Sequence, residues 1–247
     1  MTGRVALVTG AASGVGRATA LELARLGADL CLVDLNAAPL DEAAGEARAA
    51  GVKVHVYAAD LSRRETCSAA VAETMQAFGR LDALCNIAGV FLPANTHDMP
   101  ADHWELTMSV NLSAPFYLIQ AAIPHLLAVD GAVVNVTSCA GISAQAYSAA
   151  YCATKAGLNH MTKSLALEYM HKPIRFNAVA PGGMLTTMTR TVQFPADMDR
   201  ELFQRCSPLR GLVPPEDVAE MVAFLCSSAS KSYHGAIITI DNGITAD

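Results

Sequence analysis

Short runs of apolar and β-branched residues alternate with helix-length stretches along almost the whole chain, and this alternation constrains the fold most strongly. Strands that are separated by helices pair in parallel, because the crossover carries the chain back across the sheet. The runs 132–134 and 237–240 are almost entirely apolar, which is typical of strands covered by helices on both faces. The predicted strands are Arg4–Thr9, Asp29–Asp34, Val52–Tyr57, Leu81–Asn86, Ala132–Thr137, Ile174–Val179 and Ala236–Ile240.

The stretches between these strands predict helices, and several have recognisable start and stop residues. Gly51 and Gly79 stand where two of the helices should end, and Ser62-x-x-Glu65 has the pattern of a capping box. The predicted helices are Gly14–Leu26, Ala37–Ala50, Ser62–Phe78, Trp104–Val129, Ala150–Met170 and a last one from Pro214 to about Ser227.

The pattern contains no linker, repeat or low-complexity segment, so we predict a single domain over residues 1–247. Only the segment 183–213 lacks a clear pattern, apart from a short helix expected within Asp197–Arg205. Long loops in compact domains are usually lids or binding loops. We therefore predict that 183–213 is a substrate lid.

Composition excludes several classes of function. The formal net charge is −6 and only 17 residues are Lys or Arg, so nucleic acid is not an expected partner. The seven cysteines form no C-x-x-C pair, which predicts reduced thiols and no metal site. The longest apolar stretch, Phe116–Val129, is shorter than the roughly 20 residues of a membrane span, and the N-terminus lacks the pattern of a signal peptide. We expect a cytoplasmic protein without a membrane partner.

A glycine-rich segment, residues 9–16, joins the first predicted strand to the first predicted helix. Glycines at such a turn let the backbone approach a pyrophosphate closely, and the following helix supplies free N–H groups and the positive end of its dipole. The position of the segment therefore predicts a dinucleotide site, with cofactor contacts from Gly10, Ser13, Gly14, Val15 and Gly16.

Asp34 ends the second predicted strand. An acidic residue about 20 positions after the glycine loop accepts hydrogen bonds from the adenosine ribose in dinucleotide sites. Its negative charge also repels a 2′-phosphate, and no Arg replaces or directly follows Asp34. The sequence therefore favours NAD over NADP.

Two further segments follow the third and fourth predicted strands. Asp60 is predicted to meet the adenine edge of the cofactor, and Leu61 beside it is a further predicted cofactor contact. Asn86-x-Ala88-Gly89 ends the fourth strand, where open parallel sheets bind ligands in a central crevice. We expect Asn86, Ala88 and Gly89 to form part of the cofactor site.

Tyr151 and Lys155 lie on a predicted helix with the spacing that puts both side chains on one face. A nearby ammonium and a nicotinamide cation both favour the phenolate, so Lys155 and the bound cofactor together are expected to lower the pKa of Tyr151 and make it an acid/base for an alcohol or ketone. Ser138 lies at the carboxyl end of the fifth predicted strand, where its hydroxyl can hold the substrate oxygen. The three residues predict a catalytic site.

Together these motifs resemble the short-chain dehydrogenase/reductase family over nearly the whole chain. Two segments depart from its pattern: Cys85-Asn86-Ile87 stands for the commoner Asn-Asn-Ala, and Asp241-Asn242-Gly243 stands for Asp-Gly-Gly. The residues that carry the resemblance are the glycine loop, Asp60, Asn86, Ala88, Gly89, Asn111, Ser138, Tyr151, Lys155, Pro181, Gly182 and Thr186.

The resemblance implies a single Rossmann-type doubly wound α/β domain with a seven-stranded parallel sheet. It implies a catalytic tetrad of Asn111, Ser138, Tyr151 and Lys155, in which Asn111 holds a water that relays protons to Lys155. It further implies that Pro181, Gly182 and Thr186 bind the nicotinamide carboxamide, and that the protein is a homotetramer built through the helices near 104–129 and 150–170.

The substrate site is expected to be largely apolar, so a small alcohol or ketone without an essential negative charge is the predicted substrate. Arg190 is the lid cation near this region and is expected to face solvent. The residues predicted to line the substrate site are Ser138, Ile142, Ala144, Tyr147, Tyr151, Met184 and Met188.

Two alternatives stay open at this stage. A 3-oxoacyl-acyl-carrier-protein reductase resembles the same family closely but usually uses NADPH, which Asp34 disfavours. A nucleotide-sensing protein that has kept the fold without turnover is the other alternative, and the complete set of catalytic residues disfavours it.

Overall fold

The computed structural model describes residues 1–205, 207–208 and 210–246. Seven parallel strands form one sheet in the order β3-β2-β1-β4-β5-β6-β7. The predicted Rossmann-type α/β class and the seven-stranded parallel sheet are therefore confirmed. The strands are β1 Val5–Thr9, β2 Asp29–Asp34, β3 Val54–Ala58, β4 Ala83–Asn86, β5 Gly131–Val136, β6 Ile174–Pro181 and β7 Ile237–Ile240.

Helices cover both faces of this sheet. On one face α1, α2 and α9 pack over a core that includes Leu23, Leu40 and Val222. On the other face α3, α5 and α6 pack over a core that includes Leu118 and Phe176. The helices are α1 Gly14–Arg25, α2 Ala37–Ala49, α3 Arg64–Phe78, α4 Ala101–Met108, α5 Ala114–Leu127, α6 Ala149–Glu168, α7 Thr187–Thr191, α8 Arg200–Gln204 and α9 Pro215–Cys226.

The capping box predicted at Ser62 is wrong. Helix α3 begins at Arg64, and Arg63 occupies the N-cap position without a side-chain cap. The carboxylate of Asp60 accepts a hydrogen bond from the Ser62 backbone N–H at 2.9 Å, which closes a local turn before the helix starts. This turn uses the segment that the capping box would need, so the helix begins later than expected.

The predicted helix Trp104–Val129 begins earlier and is not uniform. It consists of α4, a π-helical turn at Ser109–Ser113, and α5. Within the described residues, this continuous helical stretch Ala101–Leu127 is long and apolar enough to cross a membrane by length and composition alone. It is longer than the apolar stretch Phe116–Val129 that the sequence analysis compared with a membrane span. The core helix of a soluble protein passes the same test, and α5 packs against α3 and β5 here.

The segment predicted as a lid contains two short helices, α7 and α8. Helix α8 is shorter than the predicted Asp197–Arg205, and the Asp199 carboxylate caps it by accepting from the N–H groups of Glu201 and Leu202. The segment lies beside the carboxyl end of the sheet, because it follows β6 directly. Ligands of open parallel sheets bind at this end.

Candidate active site

The glycine loop forms a close-packed turn between β1 and α1. Gly10 has φ +68°, and a Cβ on it would lie 3.0 Å from the Cα of Ala88. A Cβ on Gly16 would collide with the carbonyl of Gly10, so side chains are excluded at both positions. Ser13 is the N-cap residue of α1 and forms no side-chain cap, which leaves the first N–H groups of the helix available to an anion. These features fit the pyrophosphate of a dinucleotide.

Asp34 lies at the end of β2 and faces the glycine loop. Its carboxylate accepts hydrogen bonds from the N–H of Ala12 at 3.1 Å and from the N–H of Asn36 at 3.0 Å. The side chain is only partly buried, and Leu35 beside it is 67% exposed. The carboxylate is thus held at the mouth of the loop, where a ribose diol could donate to it.

The two other predicted cofactor segments lie at the same end of the sheet. Leu61 is buried, and the carboxylate of Asp60 is bonded to the backbone of its own turn. Asn86 is also buried, and its Nδ2 donates to Oδ1 of Asn135 on β5 at 2.8 Å. Asn86 therefore joins β4 to β5, which matches a role in stabilising the central crevice.

Thr9 has a structural role that the sequence did not reveal. Its hydroxyl oxygen accepts hydrogen bonds from the N–H groups of Ile87 at 2.9 Å and Ala88 at 3.0 Å. The segment after β4 is therefore fixed against the start of the glycine loop. Ala88 is brought into contact with Gly10 by the same arrangement.

Ser138, Tyr151 and Lys155 come together as predicted. Ser138 lies two residues after the end of β5. A hydrogen bond between Ser138 and Tyr151 favours the phenolate form of the tyrosine. Lys155 is 3% exposed, and its Nζ lies 5.6 Å from the centroid of the Tyr151 ring. The Nζ donates a hydrogen bond to the carbonyl of Val136 at 3.0 Å.

The pKa of Tyr151 differs in direction from the sequence-based expectation. Burial raises the pKa of Tyr151 to about 12, against the opposing effect of the Ser138 hydrogen bond. Burial also lowers the pKa of Lys155 to about 8. The net lowering of the Tyr151 pKa that the sequence analysis expected is therefore not found, because desolvation of the phenol outweighs the hydrogen bond that favours its ionised form.

Asn111 reaches the site through the π-helical turn. Its Oδ1 accepts from the N–H of Val90 at 2.8 Å, and its Nδ2 donates to the carbonyl of Val90 at 2.9 Å. A Cβ placed on Gly89 would lie 3.3 Å from Oδ1 of Asn111 and 3.6 Å from Nζ of Lys155. Asn111 and Lys155 therefore flank the backbone of Gly89, and π-helical turns of this kind are frequent at functional sites.

The segment Pro181–Thr186 closes the other side of the cofactor crevice. A Cβ on Gly182 would lie 2.7 Å from the Cα of Asp241, so a glycine is needed where the two segments meet. The Thr186 side chain caps α7, and its methyl group lies 3.4 Å from the position of a Cβ on Gly14. Thr186 is thus beside the glycine loop, and its contact with the nicotinamide carboxamide stays a prediction.

The residues predicted to line the substrate site come from two segments, the loop between β5 and α6 with the first turn of α6, and the predicted lid 183–213. Ile142 follows Ser138 and is 49% exposed, whereas Met184 packs partly against the core. Met188 lies on α7 and is half-buried. Tyr147 has a left-handed backbone with φ +63°, and its hydroxyl oxygen accepts a hydrogen bond from the N–H of Asp199 at 2.7 Å.

Ala144 lies in the same exposed stretch between Ser138 and Tyr151, on the loop that leads from β5 to α6. Arg190 on α7 is exposed, as expected. The sequence analysis did not identify Phe91, whose ring centroid is 4.9 Å from that of Tyr151. Only its position two residues after Gly89 could have indicated it.

Comparison with known proteins identifies the class that this fold and site define. Residues 10–245 match the family model described as enoyl-(acyl carrier protein) reductase. The chain is 36% identical to a 3-oxoacyl-acyl-carrier-protein reductase of Thermotoga maritima, over 99% of this chain and 98% of that protein. The chain belongs to the short-chain dehydrogenase/reductase family.

Two more similar proteins point to the range of substrates and to the cofactor in this family. A cis-4-hydroxycyclohexanecarboxylate dehydrogenase of Sinomonas cyclohexanicum is 38% identical, over 98% of this chain and 97% of that protein. The crystal structure of a short chain dehydrogenase from Mycobacterium paratuberculosis bound to NAD is 27% identical. It superposes with a TM-score of 0.91 and covers 100% of this chain and 99% of that chain. The protein is therefore an oxidoreductase of this family.

Proposed function

We propose that this protein is an NAD(H)-dependent oxidoreductase that interconverts a secondary alcohol and a ketone, with Tyr151 as its acid/base. One observation carries the proposal. Ser138 and Lys155 both lie against Tyr151, Lys155 and Asn111 flank Gly89, and the neighbouring Ala88 contacts Gly10 of the glycine loop. A dinucleotide cradle and a phenol within one crevice are the two parts that such a reaction needs.

The cofactor site is proposed for NAD because of the charge at Asp34. The carboxylate sits at the loop mouth and would face the 2′-phosphate of NADP, which it repels. The NAD bound in the similar mycobacterial structure supports this choice. NAD(H), when bound, supplies or accepts the hydride at the substrate carbon. The proposed cofactor contacts are Gly10, Ser13, Gly14, Val15, Gly16, Asp34, Asp60, Leu61, Asn86, Ala88, Gly89, Tyr151, Lys155, Pro181, Gly182 and Thr186.

In ketone reduction the Tyr151 hydroxyl donates its proton to the substrate oxygen, and the Ser138 hydroxyl donates a hydrogen bond to the same oxygen. The raised pKa of Tyr151 keeps the phenol protonated at neutral pH, which suits this direction. In alcohol oxidation the phenolate takes the proton from the substrate hydroxyl. The ammonium of Lys155, which is near the Tyr151 ring, stabilises the negative charge that develops on the phenol oxygen.

Asn111 acts in this proposal through the backbone that it holds. Both polar atoms of its side-chain amide are bonded to Val90, so it fixes the Gly89–Val90 segment beside Lys155. The water relay from Asn111 to Lys155 stays a prediction, as do the homotetramer and the cytoplasmic location.

The proposed substrate is apolar around its carbonyl and has no essential negative charge. An apolar substrate site is supported by three apolar side chains that remain accessible, those of Ile142, Phe91 and Phe194. The Arg190 side chain is exposed and is expected to face solvent rather than the substrate. The name of the Sinomonas relative combines a six-membered ring with a carboxylate, so the ring and the charge need separate tests.

The experiment follows NADH absorbance with cyclohexanone and with a ring ketone of similar size that carries a carboxylate. We expect turnover of the neutral ketone, and a loss of at least about a thousandfold in kcat for Tyr151→Phe with NADH affinity nearly unchanged. Tyr233→Phe, at an exposed position between α9 and β7, is the matched control. Substantial activity of Tyr151→Phe would contradict the proposed mechanism, and turnover of the anionic ketone alone that Arg190→Ala abolishes would contradict the proposed substrate.

A second candidate is a 3-oxoacyl-acyl-carrier-protein reductase, which the 36% identity to the Thermotoga maritima enzyme favours. The same assay separates the two candidates when a 3-oxoacyl thioester and NADPH are included. Preference for NADPH and the thioester would establish the second candidate. Binding of NADH without turnover of any ketone would instead favour a nucleotide-sensing protein.

A further inference from the structure

A row of aromatic rings leads from the acid/base residue into the lid. The ring centroids of Phe91 and Tyr151 are 4.9 Å apart with an interplanar angle of 59°. On its other side Phe91 contacts Phe194 of the lid edge-on, with centroids 6.2 Å apart and planes at 72°. Phe194 in turn contacts Phe203 on α8 at 4.6 Å. Phe91 is thus the one ring in this row that touches both Tyr151 and a lid residue.

The backbone around Phe91 is fixed at both ends, so its ring has a defined position. Val90, just before it, is bonded through both its N–H and its carbonyl to Asn111. Ala94, three residues after it, donates its N–H to the carbonyl of Tyr147 at 3.0 Å. The segment therefore crosses the site from the catalytic residues to the residue that holds the lid.

The Phe91 ring is not part of the buried core. Phe91 and Phe194 are both only partly buried, although an aromatic ring that served packing alone would lose most of its exposed surface. The accessible part of Phe91 lies next to the phenol that must reach the substrate oxygen. A substrate whose oxygen is bonded to Tyr151 and Ser138 would therefore have this aromatic surface within reach.

We propose that Phe91 is a specificity-determining residue that selects substrates with a neutral six-membered ring. A ring offers a flat, rigid apolar face to Phe91 and Phe194 and loses little conformational freedom on binding, whereas an open chain must be ordered first. This inference rests on the proposed alcohol–ketone function and names its substrate class as cyclic alcohols and ketones.

The test compares cyclohexanone with 2-hexanone, which has the same number of carbon atoms in an open chain. In the wild type with NADH, kcat/KM should favour the ring. Phe91→Leu should lower kcat/KM for cyclohexanone by roughly fivefold, the size of one lost aromatic contact, and should change that for 2-hexanone less than about twofold. Phe91→Tyr, which keeps the ring, should retain the preference.

The control is Phe224→Leu. Phe224 lies on α9, away from this site, and its ring packs edge-on against that of Tyr233. This variant should leave the ring preference unchanged. Thermal unfolding of all variants shows whether Phe91→Leu is folded, and the ratio of the two substrates within one variant is independent of the amount of active protein. Equal losses for both ketones in Phe91→Leu would overturn the inference.

Binding of cyclohexanol to the complex of enzyme and NADH, followed by NADH fluorescence, gives a readout that does not need turnover. We expect weaker binding in Phe91→Leu than in Phe91→Tyr. If the wild type turns over neither ketone but binds cyclohexanol in a manner that depends on Phe91, the proposed function fails and ring selection stands. If ketones are reduced but neither binding nor preference depends on Phe91, ring selection fails and the proposed function stands.

Discussion

The hydroxyl oxygen of Tyr147 accepts a hydrogen bond from the backbone N–H of Asp199 at 2.7 Å, and this contact joins the catalytic side of the site to the lid. The Tyr147 backbone is held at φ +63°, which costs free energy for a residue other than glycine. Asp199 is also the N-cap of α8, so the hydrogen bond fixes the start of that helix. A second lid contact joins Nδ2 of Asn95 to the Asp197 carboxylate at 2.9 Å.

Tyr147→Phe removes the acceptor for the Asp199 N–H and should loosen the lid. One hydrogen bond contributes about 1 kcal/mol, so we expect KM for a ring ketone to rise by roughly fivefold with little change in kcat. Hydrogen exchange of residues 193–205 should become faster in the variant. Tyr233→Phe is the control. An unchanged KM together with unchanged exchange would show that the lid does not depend on this contact.

Asp34 should determine the choice between NAD and NADP. We expect the wild type to bind NADH at least about tenfold more tightly than NADPH, because the Asp34 carboxylate at the mouth of the glycine loop would repel the 2′-phosphate. Asp34→Ala should narrow this difference, and Asp41→Asn on the exposed side of α2 should not. Titrations followed by nucleotide fluorescence measure both affinities. Equal affinity of the unmodified protein for the two nucleotides would contradict the assignment.

The pKa of Tyr151 predicts a different pH dependence for each of the two directions. Because burial raises this pKa to about 12, the phenolate needed for alcohol oxidation is scarce at neutral pH and increases about tenfold per pH unit. Initial rates of oxidation should therefore increase across the alkaline range, whereas ketone reduction should not. Both are measured with saturating cofactor under conditions in which chemistry limits the rate. A flat oxidation profile would argue against Tyr151 as the base.

Several parts of the site were predictable because they depend on local spacing. Tyr151 and Lys155 share a helix face as soon as a helix is predicted, and Ser138 reaches them because parallel strands all end at one edge of the sheet. The family resemblance added Asn111. The glycine loop and Asp34 were predictable from their places after β1 and at the end of β2.

Other features depend on contacts between distant segments and have no local signature. The π-helical turn that carries Asn111 inserts one residue into an otherwise regular helical pattern, which apolar periodicity does not reveal. Phe91 acquires its place only when the loop after β4 meets α6 and the lid. Ser62 failed as a cap because the neighbouring Asp60 offers its backbone a competing turn.

The surface formed by α5 and α6 should be the interface of the proposed homotetramer. Phe116 is 41% exposed there, beside a groove that Leu112, Gly157 and Met161 also line. A charge in an apolar interface is costly, so Phe116→Asp should convert tetramers into smaller species. Light scattering measures the mass, and Lys172→Asp on the exposed turn after α6 is the control. A wild-type monomer would contradict the prediction.

Lys155 should make stability depend on pH with a definite sign. Its pKa is lowered by burial from 10.5 to about 8, so between these values the unfolded chain binds more protons than the folded protein. The free energy of unfolding should therefore increase as the pH rises through this window, by an amount on the order of 3 kcal/mol from Lys155 alone. Below pH 8 the buried ammonium lowers stability, and Lys155→Met removes this effect.

Denaturant unfolding of the wild type and Lys155→Met across that window measures the difference. Cys31 and Cys67, whose pKa values are raised to about 11 by burial, act in the opposite direction, because the folded protein then binds more protons. They are present in both proteins, so their contribution cancels when the two are compared. We expect Lys155→Met to be the more stable at the acidic end and to lose this advantage toward pH 10.5. Parallel pH profiles for the two proteins would mean that Lys155 is not the buried titrating group assigned here.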